Sequence, residues 1–135
     1  EDNSMKLETI KDILKNNNIE YKEHATICGT IQASIGAYNN GLGTVMHTMK
    51  DHVLHFSNGG VAIIAVDDMN GTPKAETFMW ISQKDVKQIR IKMKLFTFIL
   101  TIDTDKGEIV YKIRRSVLGA PWHKENLSYL LLNLT

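Results

Sequence analysis

The sequence predicts a mainly β (α+β) fold: a seven-stranded antiparallel sandwich or partly open barrel, capped by a C-terminal helix and preceded by a short N-terminal helix. Apolar residues alternate with polar ones across residues 86–114, and a period of two places them on one face of a sheet. Asn58-Gly59-Gly60 is a strong hairpin signal, because Asn and Gly accept the positive φ of tight turns. Helical spacing is found in the leucines near the end of the chain, which are Leu127, Leu130, Leu131 and Leu134.

Length and composition indicate one domain. With 135 residues, of which 43% are hydrophobic, the chain can bury a core without disulfides or a metal. The single cysteine, Cys28, excludes an internal disulfide and favours a reducing, cytoplasmic compartment. No apolar run approaches the roughly 20 residues that a membrane-spanning helix needs. We expect residues 1–4 to be an expression-vector remnant and residues 5–135 to form a single domain.

The domain divides into an N-terminal helix at 5–17, a β core at 24–115 and a C-terminal helix at 123–134. Turns are expected at Lys50-Asp51, at residues 94–96 and at residues 103–107. Before the alternating stretch, strands are expected at residues 25–35, 44–49, 52–57, 61–66 and 78–81. One apolar face is predicted for the alternating stretch, formed by Ile89, Ile91, Met93, Phe96, Phe98, Leu100, Ile102, Ile109, Tyr111 and Ile113.

The net charge of +1 conceals a local excess of basic residues. Residues 84–115 hold 9 basic and 4 acidic side chains, whereas residues 1–83 hold 6 and 10. This excess is too small and too local for a nucleic-acid-binding protein. The face opposite the apolar one is either an anion- or partner-binding surface or a solvated face that prevents strand pairing. Its basic members are Arg90, Lys92, Lys94, Lys112 and Arg114.

Core and turn residues recur in a recognisable order over about residues 24–134. They are Trp80, Asp85-Val86, Ile89, Leu95-Phe96, Phe98, Leu100, Ile102, Gly107, Lys112-Ile113, Val117-Leu118-Gly119, Trp122-His123 and Asn126-Leu127. This pattern resembles the bacterial members of the pleckstrin-homology-like (PH-like) superfamily. The resemblance implies a PH-like barrel capped by a helix, and a binding module for proteins or lipid headgroups.

In that superfamily, phosphoinositide binders hold the headgroup with Lys and Arg side chains in the loop after the first strand. The corresponding loop here, from Gly36 to Gly43, contains neither residue type. Phosphate recognition needs charge-assisted donors, and this loop offers only backbone N–H groups. We therefore expect no phosphoinositide binding of the usual type.

The best candidates for metal ligands are His47, His52 and His55. In a strand, His52 and His55 are three residues apart and point to opposite faces, so one ion cannot bind both. Only His24 or His123 could complete such a site. We therefore predict no metal and favour histidines that are solvated or hydrogen-bonded within the protein.

No catalytic constellation is identifiable. Cys28 lies in a strand pattern without a nearby base, and the acidic pair Asp67-Asp68 precedes Asn70-Gly71, as in a solvated turn. No phosphate-binding glycine loop or dinucleotide fingerprint is present, so no cofactor is predicted. A small hydrolase or metalloprotein is the enzymatic alternative, without a motif to support it.

We therefore expect a non-enzymatic PH-like interaction module that binds a protein partner or self-associates, and no nucleic acid. The alternative is a weak binder of anionic lipid or another anionic surface through the basic residues of 86–114. Residues 61–66 are apolar on both faces, so the N-terminal helix or a second copy must cover them; on this basis we predict a homo-oligomer. Trp122 and His123 are either a recognition pair or core residues.

Overall fold

The computed structural model describes residues 5–36 and 49–134 of the chain, and the side chains of residues 34–36 are not part of that description. Within these ranges lie two α-helices, α1 (Leu7–Asn16) and α2 (His123–Leu134), and two one-turn 3-10 helices, Ala75–Thr77 and Gln83–Asp85. The strands are β1 (Thr26–Gly36), β2 (Asp51–Ser57), β3 (Gly60–Ala65), β4 (Met79–Ser82), β5 (Val86–Met93), β6 (Thr97–Thr104) and β7 (Gly107–Arg114).

The seven strands form one antiparallel sheet in the order β4-β3-β2-β1-β7-β6-β5. Strands β4 and β5 are its two edges, so the sheet does not close into a barrel. The predicted fold class is confirmed: the protein is mainly β, with a short helix before the sheet and a second helix after it. Among the described residues, no helix is long and apolar enough to cross a bilayer.

Strand β1 joins the two halves of the sheet. Its first residues pair with β2, and its later residues pair with β7, with a register shift between Ile31 and Ala33. Such a bulge bends a strand, which lets the two halves enclose a common inner core. That core includes Leu54 and Ile63 from one half and Leu100 and Tyr111 from the other, and Leu127 and Leu130 of α2 pack against them.

A second core lies on the outer face of β2 and β3. Every residue of β3 is buried, because Val61 and Ile63 face the inner core while Ala62 and Ile64 face outward. Three side chains of α1 cover this outer face, each contributing roughly 1.5–3 kcal/mol before entropy. They are Ile10, Ile13 and Leu14. The cover that the apolar strand requires is therefore the N-terminal helix, so this strand does not need a second copy, and the homo-oligomer stays a prediction.

Several details differ from the sequence interpretation, and α1 is shorter than expected, at Leu7–Asn16 rather than 5–17. Phe96, expected on the inner face, is 74% exposed, because β5 ends at Met93 and the following turn extends beyond the sheet. Asp51, expected in a turn, is the first residue of β2, where it pairs with Thr30 of β1. The strand expected at 44–49 falls almost wholly outside the described residues, and Met49 itself is not in a strand.

Trp122 connects the chain ahead of α1 to the start of α2. The indole is half-buried against the second core, and its Nε1–H donates to the carbonyl oxygen of Met5 at 2.9 Å. Of the two interpretations of Trp122, this position favours the core one. The ring both packs on the α1 layer and satisfies a backbone acceptor.

We expect Trp122→Ala to lower the free energy of unfolding by roughly 3 kcal/mol, because both the ring packing and the hydrogen bond are lost. Trp122→Phe keeps most of the packing and removes the donor, so its cost should be about 1 kcal/mol. Urea denaturation followed by circular dichroism measures both values. A loss below about 1 kcal/mol for the Ala variant would mark the ring as dispensable for the fold and available for recognition.

Candidate functional site

The predicted basic residues lie on or next to the outer face of the β5–β7 half of the sheet. Arg90 and Lys92 belong to β5, Lys112 and Arg114 to β7, and Lys94 to the turn after β5. Ile99 of β6 is paired with both Lys92 and Lys112, so these two lysines share one row at a backbone separation of about 10 Å. Helix α1 covers the other half of the sheet and leaves this face open.

The five basic residues differ in whether their side chains have partners within the sheet. The guanidinium of Arg90 pairs with Glu108 of β7, with Nη2 3.1 Å from Oε2. Arg114 donates to Thr30 Oγ1 at 3.1 Å, and that hydroxyl donates to Asp51 Oδ1 at 2.7 Å. In the described part of the chain, Lys92 and Lys94 form no ion pair. The set is therefore not one uniform anion-binding surface.

Lys112 and Arg114 also line a cavity of about 370 Å³ above β1, together with Asp51, Asp67 and Asp68. The carboxylate of Asp67 accepts the backbone N–H groups of Met69 and Asn70, and these bonds, with Lys74 nearby, hold its pKa below the usual range. Asp67 therefore closes a turn, as its sequence context indicates. Because three carboxylates and two cations line the same cavity, it is not a selective site for an anion.

The histidines of β2 lie on opposite faces, as their spacing predicts. His52 is on the inner face, where its Nε2–H donates to the carbonyl oxygen of Met49 at 2.9 Å and its Nδ1 accepts from the Tyr111 hydroxyl at 2.7 Å. A carbonyl oxygen can only accept, so Nε2 carries a proton in this contact. His52 is therefore a hydrogen-bonded core residue.

His55 faces outward beneath Tyr21, whose ring stacks on it with centroids 5.2 Å apart. Its Nε2 accepts the backbone N–H of Lys22 at 3.1 Å, and its Nδ1 lies 2.7 Å from Thr26 Oγ1. Both ring nitrogens are thus used, and the imidazole is fully buried. Burial lowers the pKa of His55 to about 4.

His123 is the first residue of α2 and is also fully buried. Its Nδ1 accepts the backbone N–H of Cys28 at 3.0 Å, and its Nε2–H donates to the carbonyl oxygen of Arg114 at 2.7 Å. Burial lowers its pKa as well. Of the two roles considered for His123, the structure favours the core one, because the ring fastens α2 to β1 and β7 and presents no free nitrogen.

The remaining candidates are the Cys28 thiol and the possible metal ligands. Burial raises the pKa of the Cys28 thiol to about 12, so it is not a thiolate at neutral pH. Among the residues that the structure describes, no three His, Cys, Asp or Glu side chains converge where a metal ion could bind. His47 lies outside them, as does the glycine-rich loop beyond Gly36.

A second depression, of about 490 Å³, was not identified from the sequence. We call it the β5–α2 groove. It lies between the start of β5, the β2–β3 hairpin and the last turns of α2, three segments that are far apart in the chain. Its lining residues include Phe56, Val61, Val86, Ile89, Leu130 and Leu134 as apolar members.

The β5–α2 groove combines an apolar surface with a free strand edge. In the described part of the sheet, β5 pairs with β6 alone, and an edge strand presents backbone N–H and C=O groups toward its open side. Among the described residues that line the groove, the charged side chains are Lys22 and Lys87, and none is a carboxylate. This site can therefore offer backbone hydrogen bonds, apolar contacts and positive charge to one ligand.

The lowered pKa of His55 predicts a loss of stability in acid. The unfolded chain binds the proton near pH 6.5 and the folded chain only near pH 4, so this contribution is complete above pH 6.5 and is lost as the pH falls toward 4. The full loss is about 3 kcal/mol. Urea denaturation at pH 7.5, 6, 5 and 4 measures it, and His55→Gln should make the profile less steep, while the contribution of His123 remains. An unchanged profile in that variant would contradict the assignment to His55.

Comparison with known proteins assigns no family to this chain. No family model, no curated protein and no solved structure matches it. The function must therefore be inferred from the geometry of the described residues, above all from the β5–α2 groove.

Proposed function

We propose that this chain is a non-enzymatic PH-like interaction module that binds an extended, acidic segment of a protein partner in the β5–α2 groove. The observation that carries the proposal is the free edge of β5 at a partly apolar groove, whose described lining contains two lysines and no carboxylate. The buried thiol and the internally bonded histidines, described above, support a binding role over a catalytic one.

An extended segment would lie alongside residues 86–89 of β5 and add an eighth strand to the sheet. Its backbone would pair with the free edge, while every second side chain would point toward the groove. A volume of about 490 Å³ lies within the usual range for ligand sites and accommodates a few such side chains. Leu130 and Leu134 on α2 would contact them from the opposite wall.

The positive charge at the groove favours an acidic partner segment. Lys22 and Lys87 attract a segment that carries Asp or Glu beside its apolar residues. The same charges disfavour a second copy at this edge, because β5 carries Lys87, Arg90 and Lys92 and no acidic residue. Pairing β5 with β5 of another molecule would place like charges close together. We therefore favour a different protein over self-association at this site.

A peptide-display selection on the immobilised protein tests the proposal. We expect enriched peptides in which acidic residues accompany alternating apolar ones. Titrating a synthetic copy into ¹⁵N-labelled protein should shift the amide signals of residues 86–89 and 129–134. Lys22→Glu combined with Lys87→Glu should weaken binding at least tenfold, since each exposed cation contributes on the order of 1 kcal/mol.

The matched control is Lys15→Glu combined with Lys124→Glu, which reverses two exposed lysines away from the groove and should change affinity less than about twofold. Enriched peptides that shift amides elsewhere, or that bind the Lys22/Lys87 variant equally well, would contradict the assignment to this groove. Light scattering of the same samples tests self-association: a dimer that the Lys22/Lys87 variant strengthens would show that β5 pairs with itself.

A further inference from the structure

We propose that the turn between β5 and β6 is a second, separate docking surface, which seats the protein on an anionic lipid bilayer by inserting apolar side chains among the headgroups. This surface, the β5–β6 tip, consists of residues 92–96. It lies at the opposite end of β5 from the groove, and the inference does not depend on the function proposed for the groove.

Apolar exposure is concentrated at this tip. Met93 is 67% exposed, Leu95 81% and Phe96 74%. Seven large hydrophobic side chains are exposed in the described part of the chain, and these three fall within four consecutive positions. Singly scattered apolar residues need no explanation, whereas a contiguous group marks an interaction surface.

Positive charge surrounds the apolar residues. Lys92 and Lys94 alternate with them, and residues 86–102 contain no carboxylate. The pairing of Thr97 with Arg114 brings the end of β7 beside the tip, and the guanidinium of Arg115 lies 4.9 Å from the centre of the Phe98 ring. Basic side chains therefore also lie at the end of β7, beside the tip.

The backbone of the turn suits the interfacial region of a bilayer. The N–H of Lys94 donates to the carbonyl oxygen of Thr97 at 2.8 Å, which closes the hairpin with an internal hydrogen bond. A narrow turn of this kind exposes few unpaired backbone groups. Its apolar side chains would enter the headgroup boundary to a depth of about 5–10 Å, while the lysine ammonium groups remain at the phosphates.

A bilayer fits this surface better than a protein partner does. The buried centre of a protein interface is depleted of lysine, whereas the headgroup region accepts apolar and cationic groups side by side. Charge alone predicts weak attachment that physiological salt screens. Burial of Leu95 and Phe96 is not screened by salt, so we expect attachment to persist at physiological ionic strength.

Sedimentation with vesicles tests the proposal on the full chain. We expect binding to phosphatidylglycerol–phosphatidylcholine vesicles at 0.15 M salt and none to pure phosphatidylcholine. Leu95→Glu should weaken binding at least tenfold, whereas Leu132→Glu, at a position 82% exposed on α2, should leave it unchanged. Lys92→Glu combined with Lys94→Glu should weaken binding about 25-fold or more, and Lys15→Glu combined with Lys124→Glu less than threefold.

A labelling experiment locates the contact directly. Cys28 is buried, so an environment-sensitive dye should react selectively with the new thiol of Leu95→Cys. We expect its emission to rise on addition of anionic vesicles, and the same dye on Leu132→Cys to show no change. Circular dichroism confirms that each variant is folded.

Four results would overturn the proposal. The first is loss of all vesicle binding between 0.02 and 0.15 M salt, which would show that the apolar tip contributes nothing. The second is equal weakening by Leu95→Glu and Leu132→Glu. The third is displacement by millimolar glycerol 3-phosphate, which would identify a site for a free phosphate headgroup rather than a bilayer surface. A protein ligand that requires Leu95 in the absence of vesicle binding would replace the bilayer as the occupant.

Discussion

Burial of β3 on both faces is the constraint on which the rest of the structure depends. Side chains of a strand alternate between faces, so Val61 and Ile63 require one cover and Ala62 and Ile64 another. The bend of the sheet at β1 provides the cover for Val61 and Ile63, since it brings β6 and β7 over the inner core. Helix α1 covers Ala62 and Ile64 on the other face. With ten residues, α1 spans about 15 Å and covers only this half. No described helix packs on the outer face of β5–β7, which carries lysine and arginine.

Buried histidines tie these layers together. A neutral imidazole carries one donor and one acceptor, so it satisfies two groups from distant segments that would otherwise be buried without partners. His123 does this for the backbone N–H of Cys28 and the carbonyl oxygen of Arg114, and His55 for the backbone N–H of Lys22. In the described part of the chain, no buried side-chain nitrogen or oxygen lacks a hydrogen-bond partner. Protonation removes the acceptor, which couples folding to pH.

Sequence periodicity predicted what local geometry determines. The helix expected at 123–134 coincides with α2 over the described residues, because its leucine spacing and Pro121 mark its face and its start. The opposite orientations of His52 and His55 also follow from spacing alone. The slip of the apolar phase at residues 94–96 predicted the turn after β5, which is confirmed, but Phe96 was also assigned to the inner face, and the exposure of its side chain contradicts that assignment. The Arg90–Glu108 ion pair depends on strand register, and the β5–α2 groove depends on three distant segments meeting. No local sequence pattern predicts either of them.

Strand β5 carries both proposed surfaces, one at each end. Residues 86–89 line the β5–α2 groove and Met93 begins the β5–β6 tip, so the two lie within one strand of eight residues, about 23 Å long. The register of β5 against β6 shifts between Val86 and Gln88, at the groove end, and is regular from Gln88 to Met93. The two surfaces share no residue, so occupation of one does not block the other. A bilayer at the tip and a partner segment in the groove can therefore be held at once. The module would then raise the local concentration of its partner at the membrane through geometry alone, without any allosteric coupling.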